Sequence, residues 1–290
     1  MAVKMPPKGS SASGVKSKLA SGETKPKSPS VAIQLYLIAY NLVSFFLWTV
    51  ILATLVKHLL LGPQNSSYIL HRISSFMEVF RPHRTYLIQK YSSLPAPLRS
   101  LLVKASTTHS HMGGLVAFVQ TLAVLEVAHA ALGWVRSPVP TTAIQVASRL
   151  WSVWAVTERF DAAATTPFYA SMIFAWSFTE VVRYAFYANQ LMDHVPRPLL
   201  WARYTTFYLL YPLGAGSEAA CMFATLPKSL PWNDKLGQWG FREYIFLFLF
   251  TTWWPGLYIM YTHMMKQRRR AIGKGFWGDG SPIDAVKKSK

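Results

Sequence analysis

A chain of 290 residues with 51 % apolar, 14 % aromatic and only 14 % charged side chains is poor in charge for a soluble protein, where about a quarter is usual. Such hydrophobicity excludes disorder over most of the length. The single cysteine, Cys221, excludes a disulfide framework and any multi-cysteine metal site. The net charge of +18 invites a nucleic-acid partner, but residues 1–30 carry +5, 57–104 carry +6 and 266–290 carry +6, flanking almost neutral apolar runs. An anionic membrane surface attracts such segments at roughly 1 kcal/mol per Lys or Arg, and no nucleic-acid-binding module accompanies them.

In chain order, residues 1–30 are rich in Lys, Ser, Pro and Gly and read as a disordered, basic N-terminal tail. The uncharged run Val31–Val56 starts too late and runs too long for a signal peptide. It exceeds the ~20 helical residues a bilayer core requires, so it reads as a membrane span. Further spans are expected over Gly113–Val135, Thr142–Val156, Phe168–Asn189, Leu200–Leu226 and Tyr244–Met265. The third of the six, short and containing Arg149, carries the weakest signal. The expected fold is therefore all-α: a polytopic bundle of about six transmembrane helices over residues 31–265, with a basic tail from 266 to 290.

Six spans put both termini on one side, and their basic tails favour the cytosol. The segment 57–112 then forms a lumenal loop. Within it Ile69, Leu70, Ile73, Phe76, Met77 and Phe80 recur at helical spacing, which predicts a helix lying on the membrane surface or packed on its neighbours. Asn65-Ser66-Ser67 is a glycosylation sequon close to the end of the first span. Lys287 and Lys288, third and fourth from the end, match the dilysine signal that returns membrane proteins to the endoplasmic reticulum.

Ionisable residues inside membrane spans cost about 2.5–3.5 kcal/mol or more each and usually face the bundle interior. Here they are Glu126, Arg149, Glu180, Arg183, Arg203 and Glu218. Three carboxylates against three guanidinium groups can pair, and Glu180 and Arg183 are spaced to pair with each other. Ion pairs that fix helix packing account for most of this set. Residues 211–218 differ. Tyr211 and Glu218 stand two helical turns apart with a drift of only ~20° and an axial offset of ~10 Å. Between them Pro212 kinks the helix, and Gly214 and Gly216 let a helix or ligand approach closely. The expected result is a dry cavity with a phenol at one end and a carboxyl at the other, suited to moving a proton and a hydroxyl; a kinked packing helix is the structural alternative. The same segment matches GxGxxA, but no strand–turn–helix context surrounds it, which excludes a dinucleotide site.

Five blocks in order carry a resemblance: Tyr40-Asn41-Leu42; Glu126 with Gly133-Trp134-Val135-Arg136-Ser137-Pro138; Gln145 to Arg149; Trp176 to Tyr184; and Arg203-Tyr204 with Leu210 to Gly214 and Ser217-Glu218. In these the chain resembles the very-long-chain (3R)-3-hydroxyacyl-CoA dehydratases, the membrane family once called protein tyrosine phosphatase-like, from about Tyr36 to Arg270. The resemblance implies a hydro-lyase of the endoplasmic reticulum. It would dehydrate long-chain (3R)-3-hydroxyacyl-CoA to trans-2-enoyl-CoA, the third step of fatty acid elongation. It places the catalytic pair on Tyr211 and Glu218, requires no metal or redox cofactor, and makes the other elongation-cycle enzymes candidate partners beside substrate and lipid. Arg136, Arg149 and Arg183 are expected to receive CoA phosphates or, with Glu180, to orient Glu218.

Other classes fit less well. Elongases and desaturases need histidine boxes, and His109-Ser110-His111 is the nearest approach; reductases need a nucleotide site. A phosphatase needs Cys-x5-Arg, which Cys221 lacks. The non-catalytic alternative is an endoplasmic reticulum scaffold of the same fold; intact Tyr211 and Glu218 argue against it.

Overall fold

The computed structural model describes residues 30–63, 72–73, 75–77, 79–80, 93–233, 237–273 and 277. The N-terminal tail, the Asn65 sequon and the Lys287–Lys288 signal lie outside the described residues. Every regular element among the described residues is helical.

Helix α1, Val31–Leu61, begins where Ser30 Oγ accepts the Ile33 N–H at 3.4 Å. It ends at Gly62, whose φ of +89° is a conformation that favours glycine. Its 31 residues rise about 46 Å, longer than the ~30 Å hydrocarbon core. Lys57 and His58 fall in the surplus, past the Val56 boundary the hydropathy sets.

Three nearly continuous helices follow: α2 (Ala96–Ser106), α3 (Thr108–Leu122) and α4 (Val124–Ala131). Together they form a 36-residue apolar rod that starts 17 residues before the expected Gly113. Much of the segment read as a loop is thus helix. The polar run Ser106–His111 lowers the hydropathy without stopping the helix, because its hydroxyls bond back to the backbone: Ser106 to Leu102 O at 2.9 Å, Thr107 to Lys104 O at 2.9 Å and Ser110 to Thr107 O at 2.7 Å. Arg72, Ile73, Ser75, Phe76 and Met77 are helical as the periodicity predicts. Met77 joins the core while Phe76, Val79 and Phe80 stay exposed. Ile69 and Leu70 lie outside the described residues.

After a turn at Gly133 (φ +69°), Pro138 precedes α5, Val139–Leu150, which runs into a π-helical stretch, Trp151–Thr157. A short α6, Asp161–Ala164, leads to α7, Pro167–Leu191. Helix α7 is the hub: it packs most extensively on α1 and also touches α2 and α3. The span expected over Leu200–Leu226 is two helices, α8 (Arg197–Thr205) and α9 (Phe207–Phe223), broken at Thr206. Pro212 stands inside α9 rather than at the break. Both helices pack on α7. Last comes α10, Phe241–Ile272, packed on α8 and α9.

Three segments among the described residues are long and apolar enough to cross a bilayer: α1, α2–α4 and α10. The most apolar stretch of α10 is only 6 % buried, and Phe248, Tyr258 and Ile259 point outward from it. On α1, Leu42, Val43 and Phe46 do the same. Apolar surface on this scale is a liability in water and the proper surface against lipid. Gln34, near the start of α1, donates to Leu191 O at the end of α7 at 2.7 Å. Arg268, near the end of α10, donates to Thr205 Oγ1, in the helix that follows α7, at 3.3 Å. The first and last described helices therefore place their outer ends at the same end of the bundle.

Candidate active site

The site is built on the antiparallel pair α7 and α9. Gly214 lies against α7: a Cβ there would sit 3.4 Å from Ala175 Cβ and 3.8 Å from Trp176 Cδ1. That close approach brings Glu218, one turn further along α9, to Trp176, whose indole N–H donates to Glu218 Oε1 at 2.6 Å. Beside it, Ser217 and Ser171 share a hydrogen bond of 2.7 Å. Gly216 faces open space, with nothing within 4 Å of where its Cβ would be.

Tyr211, half-buried, makes no hydrogen bond among the described residues and lies near enough to Glu218 to interact with it electrostatically. Phenol and carboxyl are thus neighbours, the carboxyl held and the phenol available. The largest groove among the described residues, about 590 Å³, lies further along the bundle rather than between these two groups. Its wall is apolar, from Leu59, Leu101, Leu102, Phe168 and Phe174, and Ser171 joins it to the Ser217–Glu218 step of α9.

Behind Trp176 runs an ion-pair chain. The Arg149 guanidinium lies 5.3 Å from the Trp176 ring centroid, close enough for a cation–π contact. It donates to Glu180 Oε1 and acts electrostatically on Glu218. The other Glu180 oxygen accepts Arg183 Nε at 2.6 Å, as their spacing allows. Arg183 then forks onto Glu126 through two bonds of 2.8 and 2.6 Å. The Tyr184 hydroxyl also donates to Glu126. Four of the six intramembrane charges expected from the sequence are therefore one network with balanced charge, joining α4, α5 and α7. Burying it is tolerable because each carboxylate oxygen meets a donor.

The remaining predicted residues fall elsewhere. Arg203 meets no carboxylate; it donates to the Tyr187 hydroxyl at 3.5 Å and lies 5.7 Å from that ring. Arg136 is exposed in the turn after α4, on neither Glu218 nor the network. His109 and His111 do not act together: His109 Nε2 is 3.1 Å from Glu158 Oε1 in a buried pair, and His111 stacks on His58. No group of three or more His, Cys, Asp or Glu among the described residues could hold a metal ion. Sequence reasoning missed Trp176 as the partner of Glu218, and Glu158 altogether. The available signal for Trp176 was general: a buried indole N–H needs an acceptor, and Trp176 stands one turn before Glu180.

A family model described as "Protein tyrosine phosphatase-like protein, PTPLA" matches residues 120–274, which include all the residues of this site. Among curated proteins, a mouse protein named "Very-long-chain (3R)-3-hydroxyacyl-CoA dehydratase 2" is 31 % identical over 257 residues, covering 86 % of this chain and 85 % of its own. A protein of Schizosaccharomyces pombe named "Probable very-long-chain (3R)-3-hydroxyacyl-CoA dehydratase" is 48 % identical over 157 residues, covering 54 % of this chain and 73 % of its own. A Caenorhabditis elegans protein, "Very-long-chain (3R)-3-hydroxyacyl-CoA dehydratase hpo-8", is 38 % identical over 164 residues, covering 54 % and 75 %. No solved structure matches the chain.

Proposed function

The chain belongs to the protein tyrosine phosphatase-like (PTPLA) family, and from that premise we propose that it is a hydro-lyase that converts long- and very-long-chain (3R)-3-hydroxyacyl-CoA to trans-2-enoyl-CoA, the dehydration step of fatty acid elongation. The observation that carries the assignment is the pairing on α9 of an available phenol, Tyr211, with a carboxyl, Glu218, that Trp176 holds from α7.

Dehydration breaks the C2–H and C3–O bonds and forms C2=C3. In our reading the Glu218 carboxylate takes the C2 proton, whose electron pair becomes the double bond. Tyr211 gives its proton to the departing C3 hydroxyl, which leaves as water. Return of the proton from Glu218 to the phenolate restores both groups, so one acid and one base complete the cycle. Trp176 is a positioning residue: its short hydrogen bond fixes one Glu218 oxygen and leaves the other to face substrate. The apolar groove that begins at Ser171 suits the acyl chain, since its wall is hydrocarbon and it continues from Glu218 along the bundle.

The protein sits in the endoplasmic reticulum membrane in this reading, crossing it six times with both ends in the cytosol. In support, the outer ends of α1 and α10 lie at one end of the bundle, and that end carries Arg197, Arg203, Lys266 and Arg268 to Arg270, the charge bias of a cytosolic face. A glycosylation reporter fused to the C-terminus checks the topology: it stays unmodified, and its modification overturns the arrangement.

Membranes containing the chain, given a long-chain 3-hydroxyacyl-CoA, form the enoyl product. Tyr211→Phe and Glu218→Gln each lower kcat by about a thousandfold, within the range for loss of an acid or base, while the protein stays in the membrane. Full activity in both variants removes the proposed pair, and no product from the unchanged protein leaves the scaffold reading.

A further inference from the structure

Two groups of cations in this molecule have different surroundings. Arg149 and Arg183 are bonded to carboxylates. At the end of the bundle where α8 packs on α10, Arg197 and Arg203 from α8 meet Lys266, Arg268, Arg269 and Arg270 from α10. Residues 194–212 and 256–273 contain no Asp or Glu, and the nearest acid along the chain is Asp193, in the turn before α8. Arg268 is 6 % exposed, its Nε donates to Thr205 Oγ1 at 3.3 Å, and its guanidinium lies 5.7 Å from the Tyr208 ring. Arg203 is held against Tyr187. Hydroxyls and ring faces orient these guanidinium groups without neutralising them. Six like charges gathered this way repel one another, and an anion relieves that cost.

The position of the cluster along α9 says which anion. Tyr208, beneath Arg268, stands three residues before Tyr211, one turn away on the same side of the helix. Arg203 precedes Tyr211 by eight residues, about 12 Å of helical rise. Glu218 follows Tyr211, and the apolar groove at Ser171 lies beyond Glu218. The bundle thus presents, in order, cations, phenol, carboxyl and hydrocarbon. An acyl-CoA presents phosphates, a pantetheine arm, the reacting C2 and C3, and an alkyl chain in the same order. Guanidinium forks suit phosphate oxygens in geometry as well as charge.

We propose that the phosphates of the CoA moiety bind at this basic end, with Arg203 and Arg268 as principal contacts, rather than at Arg136, Arg149 or Arg183. The proposal rests on the dehydratase reading. It gives the α8–α10 junction a role in substrate recognition beyond membrane orientation, for which charge anywhere on the cytosolic face would suffice.

The test compares two thioesters of one 3-hydroxyacyl group in detergent-solubilised full-length protein: the CoA ester, and the pantetheine ester, which lacks every phosphate. The unchanged protein prefers the CoA ester in kcat/KM. Arg203→Gln, and separately Arg268→Gln, lower that preference by about tenfold, through KM of the CoA ester. Arg203→Lys retains part of it, and free CoA inhibits the Gln variants less than the unchanged protein. Equal loss on both esters assigns the arginines to folding and overturns the proposal. So does an unchanged protein that treats the two esters alike, while leaving the dehydratase reading intact. Product from neither ester removes that reading, and the phosphate site with it. Arg203 is half-buried, so its variant remains informative if the more buried Arg268 variant fails to fold.

Discussion

Arg183 and Arg203 lie on neighbouring helices, and Tyr187 lies under both guanidinium groups, 5.9 and 5.7 Å from its ring centroid. Their surroundings nevertheless give them opposite roles. Arg183 has all three of its printed bonds on carboxylates, so its charge is spent on joining α4 to α7. Arg203 has a phenol oxygen and a ring face, so its charge is held in place but left for something else to neutralise. Residue type does not separate a structural arginine from a ligand-binding one in a membrane bundle; the supply of carboxylates within reach does.

Three substitutions sharpen this comparison. The largest effect is expected at Glu180, 1 % exposed and bonded to two arginines. Glu180→Ala leaves buried guanidinium groups short of an anion and costs about 3–5 kcal/mol, seen as a lower midpoint for thermal unfolding in detergent. Arg203→Gln in the same assay changes stability by no more than about 1 kcal/mol; a loss as large as that of Glu180→Ala would make the two regions alike. Next is Trp176→Phe, which keeps the ring beneath Arg149 and removes only the bond to Glu218. That bond to a charged group contributes about 1.5–3 kcal/mol, so kcat falls roughly 10- to 100-fold while KM for the CoA ester holds. A purely structural Trp176 would instead lower the yield of folded protein and leave kcat alone. The smallest effect is at Ser171→Ala, which breaks the bond to Ser217 at the mouth of the groove. It costs about 1 kcal/mol, and activity changes most on the longest acyl chains when assayed across chain lengths.

Much of this arrangement was legible in the residue order. The uncharged run from Val31 and the Phe/Trp/Tyr-rich run of α10 announce apolar helices. Glu180 and Arg183 meet because three residues make one helical turn. Tyr211 and Glu218 share a side of one helix for the same reason. Local periodicity sufficed there because each partner lies on the same helix. It was less informative at Ser106–His111, where polar side chains broke the hydropathy but satisfied themselves on the helix backbone. It also placed one helix across Thr206, where the structure has two.

What depended on tertiary structure was every partnership between helices. Trp176 and Glu218 are 42 residues apart, Arg183 and Glu126 are 57 apart, and Arg268 and Thr205 are 63 apart. Composition dictates that a buried indole N–H or guanidinium must find an acceptor, because burial without one is costly. Which acceptor it finds depends on how α7 packs against α9, α4 and α5, and on a glycine, Gly214, that lets two backbones come close. The amino-acid order by itself determined that this is a helical, membrane-seeking chain with a phenol and a carboxyl on one helix face. Only the packing decided which charges cancel one another and which stay available for a substrate.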